Sequence, residues 1–568
     1  MKVLLTTLHA KYSHSSLALP CLAAYSRDIP GIDLILREWT VNEPRNLILR
    51  RIIEERAAVV AFSCYIWNTE DTLRIVGDVK KISPSTLIVL GGPEVSFGIF
   101  ELMHAHPGVD FVIKGEGEKP FRRLLELLAC HDCRNPPESE CAGIENLFFR
   151  DGDDVVSGPP GTIPLNLDSL PSPFEAGLVD LSRQLTYYET SRGCPFSCAF
   201  CLSSIEGAVR TFGMERIKKD LLQLMHQNVS HIKLVDRTFN FDARRAGEIW
   251  EFILEHNRGS HFHFEIAADL LTEDNLRTLG RVQAHTFRFE IGVQSVSDEI
   301  LARVGRTAQT EKIFEAVRRL RRETSIELHL DLLAGLPGES YAGFLDSLQA
   351  VASLQPHEIQ IEPLKVLKGS PMREIAQREG YRYSGTPPYI ILSNPWISYD
   401  DICRIEIIGR LLDLLHRCGG LETALVVLTQ DMLFAAVLDR MAAQALEENL
   451  SGLSCRQTFE LFARLAPLPE EPQRSEEFRD ALFFDYCLRE MPLMGKLPGF
   501  AADHRGHCSW PGQRDLRTGL DISPGCRVKV FRTTFGRDYR SGNRDEQATV
   551  CTFAYISGAG QGLRVVLT

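Results

Sequence analysis

The chain has 568 residues, of which 44% are hydrophobic and 24% are charged, and its formal net charge is −12. A chain of this length exceeds one ordinary core and predicts roughly two to four domains. The acidic balance argues against a protein whose main task is to bind the phosphates of nucleic acid, and no stretch has the roughly 18–20 apolar residues of a membrane span. The first residues, "MKVLLTTLHAKYSH", lack the features of a signal peptide and read as a strand, so we expect a cytoplasmic protein whose thiols stay reduced.

Residues 1–135 alternate short apolar runs, such as "KVLLTTL" and "TLIVLGG", with stretches of helical periodicity. Runs this apolar suit strands that are covered on both faces, so the pattern predicts a doubly wound, flavodoxin-like parallel sheet. Ligands of such sheets lie at the carboxyl ends of the strands. Two glycine-containing loops, "GGPEVS" (Gly91–Ser96) and "GEGE" (Gly115–Glu118), are predicted there, although ordinary turns would use the same residues.

The rest of the chain divides by composition into three further regions. Residues 136–183 are rich in Pro, Gly, Asp and Ser and predict a linker with one small hairpin around "NLFFRDGDDVV". Residues 184–375 contain six strand–helix units, which predict a partial (β/α)6 barrel. Residues 376–568 predict a mainly helical domain that ends in a small β-sheet.

Three cysteines follow the first predicted barrel strand in "TSRGCPFSCAFC". Cys194, Cys198 and Cys201 have the spacing C-x3-C-x2-C, and thiolates this close together suit a soft metal centre. Three thiolates on a four-iron cluster leave the fourth iron open to another ligand. A zinc site completed by a distant histidine, or simply buried thiols, are the alternatives.

The sequence around these cysteines, "RGCPFSCAFC", resembles the cluster-binding loop of the radical S-adenosylmethionine (SAM) enzymes. Four later segments resemble further motifs of that family in the same order, each at the end of a predicted strand. They are "VDRTFNFD", "FEIGVQSVSDEILARVGR", "LDLLAGLPGES" and "IEPLKVLKGSPM".

The resemblance implies that Cys194, Cys198 and Cys201 hold a [4Fe–4S] cluster whose open iron chelates SAM, which is then cleaved to methionine and a 5′-deoxyadenosyl radical. Further cofactor contacts are implied residue by residue: Phe200 shields the cluster, Asp236 meets the amino group, Glu290 and Gln294 reach the ribose, Arg306 pairs with the carboxylate, and Gly335 and Pro337 line the adenine. For each polar residue, an ordinary strand-end hydrogen bond is the alternative.

A doubly wound domain before such a barrel resembles the cobalamin-binding subclass of the family. The implied corrin contacts are Ser63, Gly91, Gly92, Glu94, Gly115 and Glu116. The cobalamin fingerprint D-x-H-x-x-G is absent, and we interpret His14 of "LHAKYSHSS" as a surface or loop-packing residue rather than a cobalt ligand.

The subclass implies methyl transfer to an unactivated carbon or phosphorus centre of a small-molecule or peptide substrate, with an electron donor such as flavodoxin or ferredoxin. Radical rearrangement, cyclisation or hydrogen abstraction without methylation is one alternative, and RNA modification is another. No membrane partner is expected, and the acidic balance and the lack of an added basic, aromatic-rich module argue against a nucleic-acid partner.

Several residues of the central and C-terminal regions stay open to two interpretations. Four side chains could point into the barrel as substrate or proton-transfer groups, or could pack its interior: Tyr187, Tyr188, His329 and Glu362. Four C-terminal cysteines could hold a second cluster, although irregular spacing favours structural thiols: Cys487, Cys508, Cys526 and Cys551. The C-x2-C of "CHDC" (Cys130 to Cys133) has no partner pair and is weak evidence for a metal.

Overall fold

The computed structural model describes residues 1–131, 136–161, 166–205, 208–307, 309–419, 421–494, 496–511, 526–540, 548–558 and 561–567. Within these ranges, none of the helices combines the length and the apolar character that crossing a bilayer requires.

The N-terminal part is a seven-stranded sheet in the order β2-β1-β3-β4-β5-β6-β7. Its strands are β1 (Lys2–His9), β2 (Asp33–Thr40), β3 (Val59–Ser63), β4 (Leu87–Gly91), β5 (Phe111–Ile113), β6 (Leu147–Asp151) and β7 (Asp154–Ser157). Its helices are α1 (Ala18–Ser26), α2 (Arg45–Glu54), α3 (Thr69–Ile82), α4 (Ile99–Ala105), α5 (Glu118–Cys130) and α6 (Glu138–Cys141). Strands β1 to β5 pair in parallel, as the sequence predicts.

Both faces of this sheet are covered. Successive residues of β1 point to opposite faces, so Val3 and Leu5 are buried in one apolar cluster whereas Leu4 and Leu8 are buried in another. This arrangement confirms the doubly wound fold. The predicted hairpin is present as β6 and β7, but it extends the sheet antiparallel to β5, because the apolar side chains of Leu147 and Phe149 are buried in the sheet's own core.

The central part is a six-stranded, wholly parallel sheet in the order β15-β14-β13-β12-β11-β8, which confirms the partial barrel. Its strands are β8 (Leu185–Tyr188), β11 (His231–Leu234), β12 (His261–Ile266), β13 (Phe287–Gln294), β14 (Glu327–Ala334) and β15 (Glu358–Pro363), and the short pair β9 (Ser191–Arg192) and β10 (Arg210–Thr211) lies beside them. The helices are α7 (Met214–His226), α8 (Ala243–His256), α9 (Glu273–Leu279), α10 (Asp298–Arg303), α11 (Thr310–Glu323) and α12 (Tyr341–Ala352).

Alternation along the barrel strands separates an apolar outer face from a polar interior. On β13, Phe287, Phe289 and Ile291 are buried against the helices, whereas Arg288 and Glu290 between them are partly exposed. The period of two thus places charged side chains inside the barrel.

The C-terminal part is mainly helical and packs against the open side of the barrel at β15, where Gly409 of α14 lies against Ile361. Its helices are α13 (Met372–Arg378), α14 (Tyr399–Arg417), α15 (Glu422–Leu428), α16 (Phe434–Gln444), α17 (Cys455–Leu465) and α18 (Pro472–Cys487). Its strands are β16 (Arg382–Tyr383), β17 (Ile391–Ser393), β18 (Arg527–Phe535), β19 (Thr549–Gly558) and β20 (Gln561–Leu567), and the last three form the predicted small antiparallel sheet.

Candidate functional site

The three cysteines of the motif lie on residues 193–205, which we call the cysteine loop. It follows β8 at the carboxyl edge of the barrel, and its base is the antiparallel pair of β9 and β10. Gly193 opens the loop with φ of 92°, and a Cβ there would lie 2.3 Å from the carbonyl oxygen of Ala208. Only glycine therefore fits at the position before Cys194.

The thiols of Cys194, Cys198 and Cys201 are free, and those of Cys194 and Cys201 both lie within electrostatic reach of Cys198. Burial raises the pKa of the Cys198 thiol, the Arg306 guanidinium opposes this rise, and the two neighbouring thiols add to it. Cys194 Sγ lies 3.4 Å from Thr238 Oγ1. The three thiols therefore form one group at the barrel edge.

In the described part of the chain, no three His, Cys, Asp or Glu side chains converge tightly enough to hold a single metal ion. A zinc ion would need its thiolates about 2.3 Å from one centre. In a four-iron cluster each thiolate binds an iron of its own, and three free thiols on one loop are a donor set that suits such a cluster.

Backbone contacts fix the middle of the cysteine loop. The amide of Ala199 donates to the carbonyl of Val304 at 2.8 Å, and the amide of Met372 donates to the carbonyl of Ala199 at 2.9 Å. Phe200 is partly buried and packs against the main apolar core. One segment of the barrel and the start of α13 thereby hold the loop, and the shielding role of Phe200 stays a prediction.

Asp236 follows β11 and is completely buried. Its Oδ1 accepts hydrogen bonds from the hydroxyls of Thr190 and Ser191, each at 2.5 Å, and its Oδ2 accepts from the Thr190 amide at 3.0 Å. Arg245 Nη2 donates to the carbonyl of Thr190 at 2.8 Å. Both carboxylate oxygens thus hold the strand end before the cysteine loop, and the contact of Asp236 with the amino group of SAM stays a prediction.

Arg306 lies between the cysteine loop and β13. Its Nη1 lies 3.8 Å from Cys198 Sγ, and its Nη2 donates to the carbonyl of Gly292. A Cβ on Gly292 would lie 2.3 Å from Gln294 Nε2 and 3.6 Å from Arg306 Nη2. The missing side chain of Gly292 therefore makes room for the Gln294 amide and the guanidinium, beside the thiols.

Glu290 points into the barrel, where its Oε2 lies 3.0 Å from Lys233 Nζ and 2.8 Å from His263 Nε2. Burial alone would raise the pKa of this carboxyl, but His263 and Lys233 hold the pKa well below its usual range. Burial lowers the pKa of His263 to about 4. Glu290 is therefore an ionised acceptor beside a neutral imidazole, and its contact with the ribose stays a prediction.

The predicted adenine segment is buried beside the C-terminal part. Gly335 has φ of 92°, and its carbonyl accepts hydrogen bonds from Tyr381 and Asn394, both at 3.1 Å. Pro337 is buried. These contacts fix the backbone after β14, and the role of both residues at adenine stays a prediction.

The glycine loops of the N-terminal sheet face the barrel. Gly92 has φ of 108°, and a Cβ there would lie 2.5 Å from the carbonyl oxygen of Cys64. Next to it, Ser63 and Gly91 end their strands, and Gly115 has φ of 74°. Tyr65 and Trp67, which sequence reasoning missed within "SCYIWN", stack with ring centroids 4.4 Å apart. Glycines and a flat aromatic pair suit the close approach of a large planar ligand.

The two glutamates predicted to line a corrin, Glu94 and Glu116, have protein partners in this structure. Glu94 is buried, accepts a hydrogen bond of 2.5 Å from the Tyr389 hydroxyl and lies 3.0 Å from Lys368 Nζ. Glu116 forms ion pairs with Arg192 and Arg210. Both carboxylates join the N-terminal sheet to the rest of the chain, and their predicted contact with a corrin stays untested.

His14 lies at the barrel wall, where its ring meets the edge of Tyr187 with centroids 6.2 Å apart. This position agrees with its interpretation as a loop-packing residue. Tyr188, in contrast, is only 2% exposed and packs against Phe174 in the apolar core, so it does not point into the barrel. His329 is buried, with its Nε2 lying 3.1 Å from Asp331.

The remaining thiols show no four-cysteine site among the described residues. Burial raises the pKa of the Cys487 thiol, and the nearby thiols of Cys508 and Cys551 add to this rise. The thiol of Cys508, however, donates to the His504 carbonyl at 3.1 Å, and Cys526 packs against a separate small apolar cluster. Of the C-x2-C pair, Cys130 is exposed, and Cys133 lies outside the described residues.

Three family models match the chain in succession. Residues 3–125 match the model described as "B12 binding domain", residues 188–351 match "Radical SAM superfamily", and residues 378–505 match "Protein of unknown function (DUF4080)". The middle match begins at the end of β8 and includes the cysteine loop.

Two curated relatives and one solved structure are similar to this chain. A 2-(S-pantetheinyl)-carbapenam-3-carboxylate methyltransferase of Streptantibioticus cattleyicolor is 27% identical over 414 residues, which cover 67% of this chain and 60% of that protein. The cobalamin-dependent radical SAM methyltransferase TokK of Streptomyces tokunonensis is 26% identical over 367 residues, 62% of this chain and 53% of that protein. The cobalamin-dependent S-adenosylmethionine radical enzyme OxsB shares the fold at a TM-score of 0.57 and 16% identity, over 88% of this chain and 77% of that chain.

The fold and the cysteine loop define a radical SAM enzyme. More particularly, the barrel at residues 188–351 matches the radical SAM superfamily and the sheet before it, at residues 3–125, matches a B12 binding domain. The chain spans little more than half the length of the curated relatives named above.

Proposed function

We propose that this protein is a cobalamin-dependent radical SAM methyltransferase that acts on an unactivated carbon or phosphorus centre of a small-molecule or peptide substrate. One observation supports this most strongly: β9 and β10, at the base of the cysteine loop, are joined by the ion pairs of Arg192 and Arg210 to Glu116 in a glycine loop of the B12 binding domain. The names of both curated relatives support methyl transfer.

The residues fit the proposed cofactors. Three free thiols on one loop, with an arginine beside Cys198, match the donor set of an open four-iron cluster, and the glycine loops at the carboxyl ends of β4 and β5 suit the close approach of a corrin. When bound, the cluster supplies the electron that cleaves SAM, and cobalamin supplies a carrier for the methyl group.

The chain's own residues would bind these cofactors and orient them. Cys194, Cys198 and Cys201 hold the cluster, and Arg306 donates toward Cys198 while its second nitrogen fixes the carbonyl of Gly292. Glu290, kept ionised by Lys233 and His263, accepts hydrogen bonds inside the barrel. Asp236 contributes indirectly, because it holds the start of the cysteine loop.

The reaction also needs a reductant, for which we propose flavodoxin or ferredoxin. Every cysteine among the described residues is a free thiol, which supports a reducing cytoplasm as the place of action.

Anaerobic reconstitution with iron, sulfide and hydroxocobalamin tests the proposal. The protein should retain corrin after desalting and, with SAM and a reductant, should form both 5′-deoxyadenosine and S-adenosylhomocysteine. A variant with all three loop cysteines changed to alanine should form neither product. The first product without the second would favour a non-methylating radical reaction, and loss of all corrin on desalting would contradict a role for cobalamin.

A further inference from the structure

Two arginines face each other at the base of the cysteine loop. Arg192 of β9 and Arg210 of β10 are register partners in this short antiparallel pair, and Arg192 directly precedes Gly193. Their side chains are only 13% and 14% exposed. Arg192 and Arg210 therefore flank the cysteine loop, one before it and one after it, so that a movement of either arginine would move an end of the loop.

Both arginines bind the same residue of the B12 binding domain. Arg192 Nη1 lies 3.4 Å from Glu116 Oε1. Arg210 pairs with both carboxylate oxygens of Glu116: its Nη1 lies 3.3 Å from Oε2, and its Nη2 contacts Oε1. Arg192 also binds Glu118 at 2.7 Å and Glu189 at 3.0 Å. We call these five residues the Glu116 ion cluster.

The glycine loop that carries Glu116 is hydrogen-bonded to the glycine loop after β4. The amide of Gly115 donates to Ser96 Oγ at 3.1 Å, and Ser96 Oγ donates to the carbonyl of Gly92 at 2.8 Å. Gly92 is the position where the backbone has no room for a side chain. One continuous set of contacts therefore joins the glycine loops of one domain to the cysteine loop of the other.

Partly buried ion pairs of this kind define geometry more than they add stability. Removing one partner leaves a charge that is both poorly solvated and unpaired, so the two loops are held in one relative arrangement. A ligand that orders either loop restricts the other through the shared ion cluster, and such coupling acts equally in both directions.

We propose that Glu116, Arg192 and Arg210 are positioning residues that couple the glycine loops of the B12 binding domain to the cysteine loop, so that filling one site orders the other. The inference rests on the proposed function only for the identity of the two ligands.

Hydrogen–deuterium exchange of the full chain, before and after anaerobic reconstitution with iron and sulfide alone, tests this coupling without cobalamin. Cluster loading should slow amide exchange at residues 90–98 and 113–118 at least fivefold in the natural sequence. In Glu116→Gln and Arg210→Gln this protection should disappear, while iron still binds.

A second measurement follows hydroxocobalamin binding by visible spectroscopy, with and without the cluster. Loading should tighten binding roughly fivefold or more, and Glu116→Gln should remove that gain. Arg183→Gln serves as the matched control, because Arg183 pairs with Glu38 of the N-terminal sheet at 2.9 Å and is not part of the Glu116 ion cluster.

Three results would overturn the inference: no change in exchange at residues 113–118 on loading, coupling that persists in Glu116→Gln, or equal loss in Arg183→Gln. Protection at residues 113–118 without any binding of hydroxocobalamin would support the coupling and contradict the proposed function, so the two failures are distinguishable.

Discussion

Asp236 accepts hydrogen bonds from both the amide and the hydroxyl of Thr190, at 3.0 and 2.5 Å. A completely buried carboxylate on one strand end thus holds the end of the neighbouring strand, four residues before Cys194. Buried charges are costly unless they are fully hydrogen-bonded, and here the donors come from the residues that lead into the cysteine loop. The loop's starting point is therefore defined without any cofactor.

Replacing this carboxylate tests its structural role. Asp236→Asn keeps the shape but turns one acceptor into a donor that faces Thr190 and Ser191, so we expect a loss of about 1–3 kcal/mol in the free energy of unfolding and reduced iron uptake. Urea denaturation of the cluster-free protein and iron analysis after reconstitution measure both. Asp242→Asn is the control, because Asp242 caps α8 on the surface and asparagine caps equally well. Equal effects of the two substitutions would argue against the role assigned to Asp236.

Gly193 should tolerate no side chain. Gly193→Ala places a Cβ 2.3 Å from the carbonyl of Ala208 in addition to the cost of positive φ, so we expect reconstituted iron to fall at least tenfold. Gly177→Ala separates the two costs, since Gly177 also has positive φ but a Cβ there would meet no atom within 4 Å. The Gly177→Ala control should lose only about 1–2 kcal/mol in the free energy of unfolding and should bind iron normally. Normal iron content in Gly193→Ala would contradict the loop geometry.

Arg306 should influence the cluster electronically. Its positive N–H group near Cys198 Sγ stabilises the more negative, reduced state, so Arg306→Gln should lower the reduction potential by about 40 mV, on the order of 1 kcal/mol for one electron. A redox titration followed by electron paramagnetic resonance measures this shift. Arg303→Gln, on the adjacent helix and 42% exposed, should leave the potential unchanged. Identical potentials in both variants would show that Arg306 does not act on the cluster.

Glu339 should make stability depend on pH. It is 1% exposed, and burial raises its pKa to about 7 from 4.5 although Ser295 and Ser347 oppose the rise. Because the folded state favours the protonated form, Glu339 contributes up to about 3 kcal/mol to the free energy of unfolding. This contribution is complete below pH 4.5 and is lost as the pH rises through about 7.

Glu339→Gln cannot ionise and should remove this dependence. The denaturation midpoints at pH 5 and pH 8 should therefore lie closer together in the variant than in the natural sequence. Glu299→Gln, at a side chain that is 82% exposed, should keep the natural difference. An unchanged difference in Glu339→Gln would contradict the raised pKa.

The strands and the cysteine loop could be predicted because their signals are local. Alternation on β13 and the spacing of three cysteines each lie within a few residues of sequence. The Glu116 ion cluster could not be predicted this way, since Arg210 lies 94 positions from its partner. The same limit applies to Asp236, whose motif predicts a strand end but not which way the carboxylate points. Arg192 lies inside the motif "TSRGC". Its charge beside a glycine was the one sequence signal that could have pointed to its role in the Glu116 ion cluster.

Electron paramagnetic resonance of the anaerobically reconstituted, reduced protein, recorded with and without SAM and alongside iron analysis, tests the central claim most directly. The account predicts four irons per chain and a spectrum that changes when SAM is added. The variant with Cys194, Cys198 and Cys201 changed to alanine should lose both the iron and the response of the spectrum to SAM. Iron that survives this triple substitution, or a spectrum that SAM leaves unaltered, would contradict it.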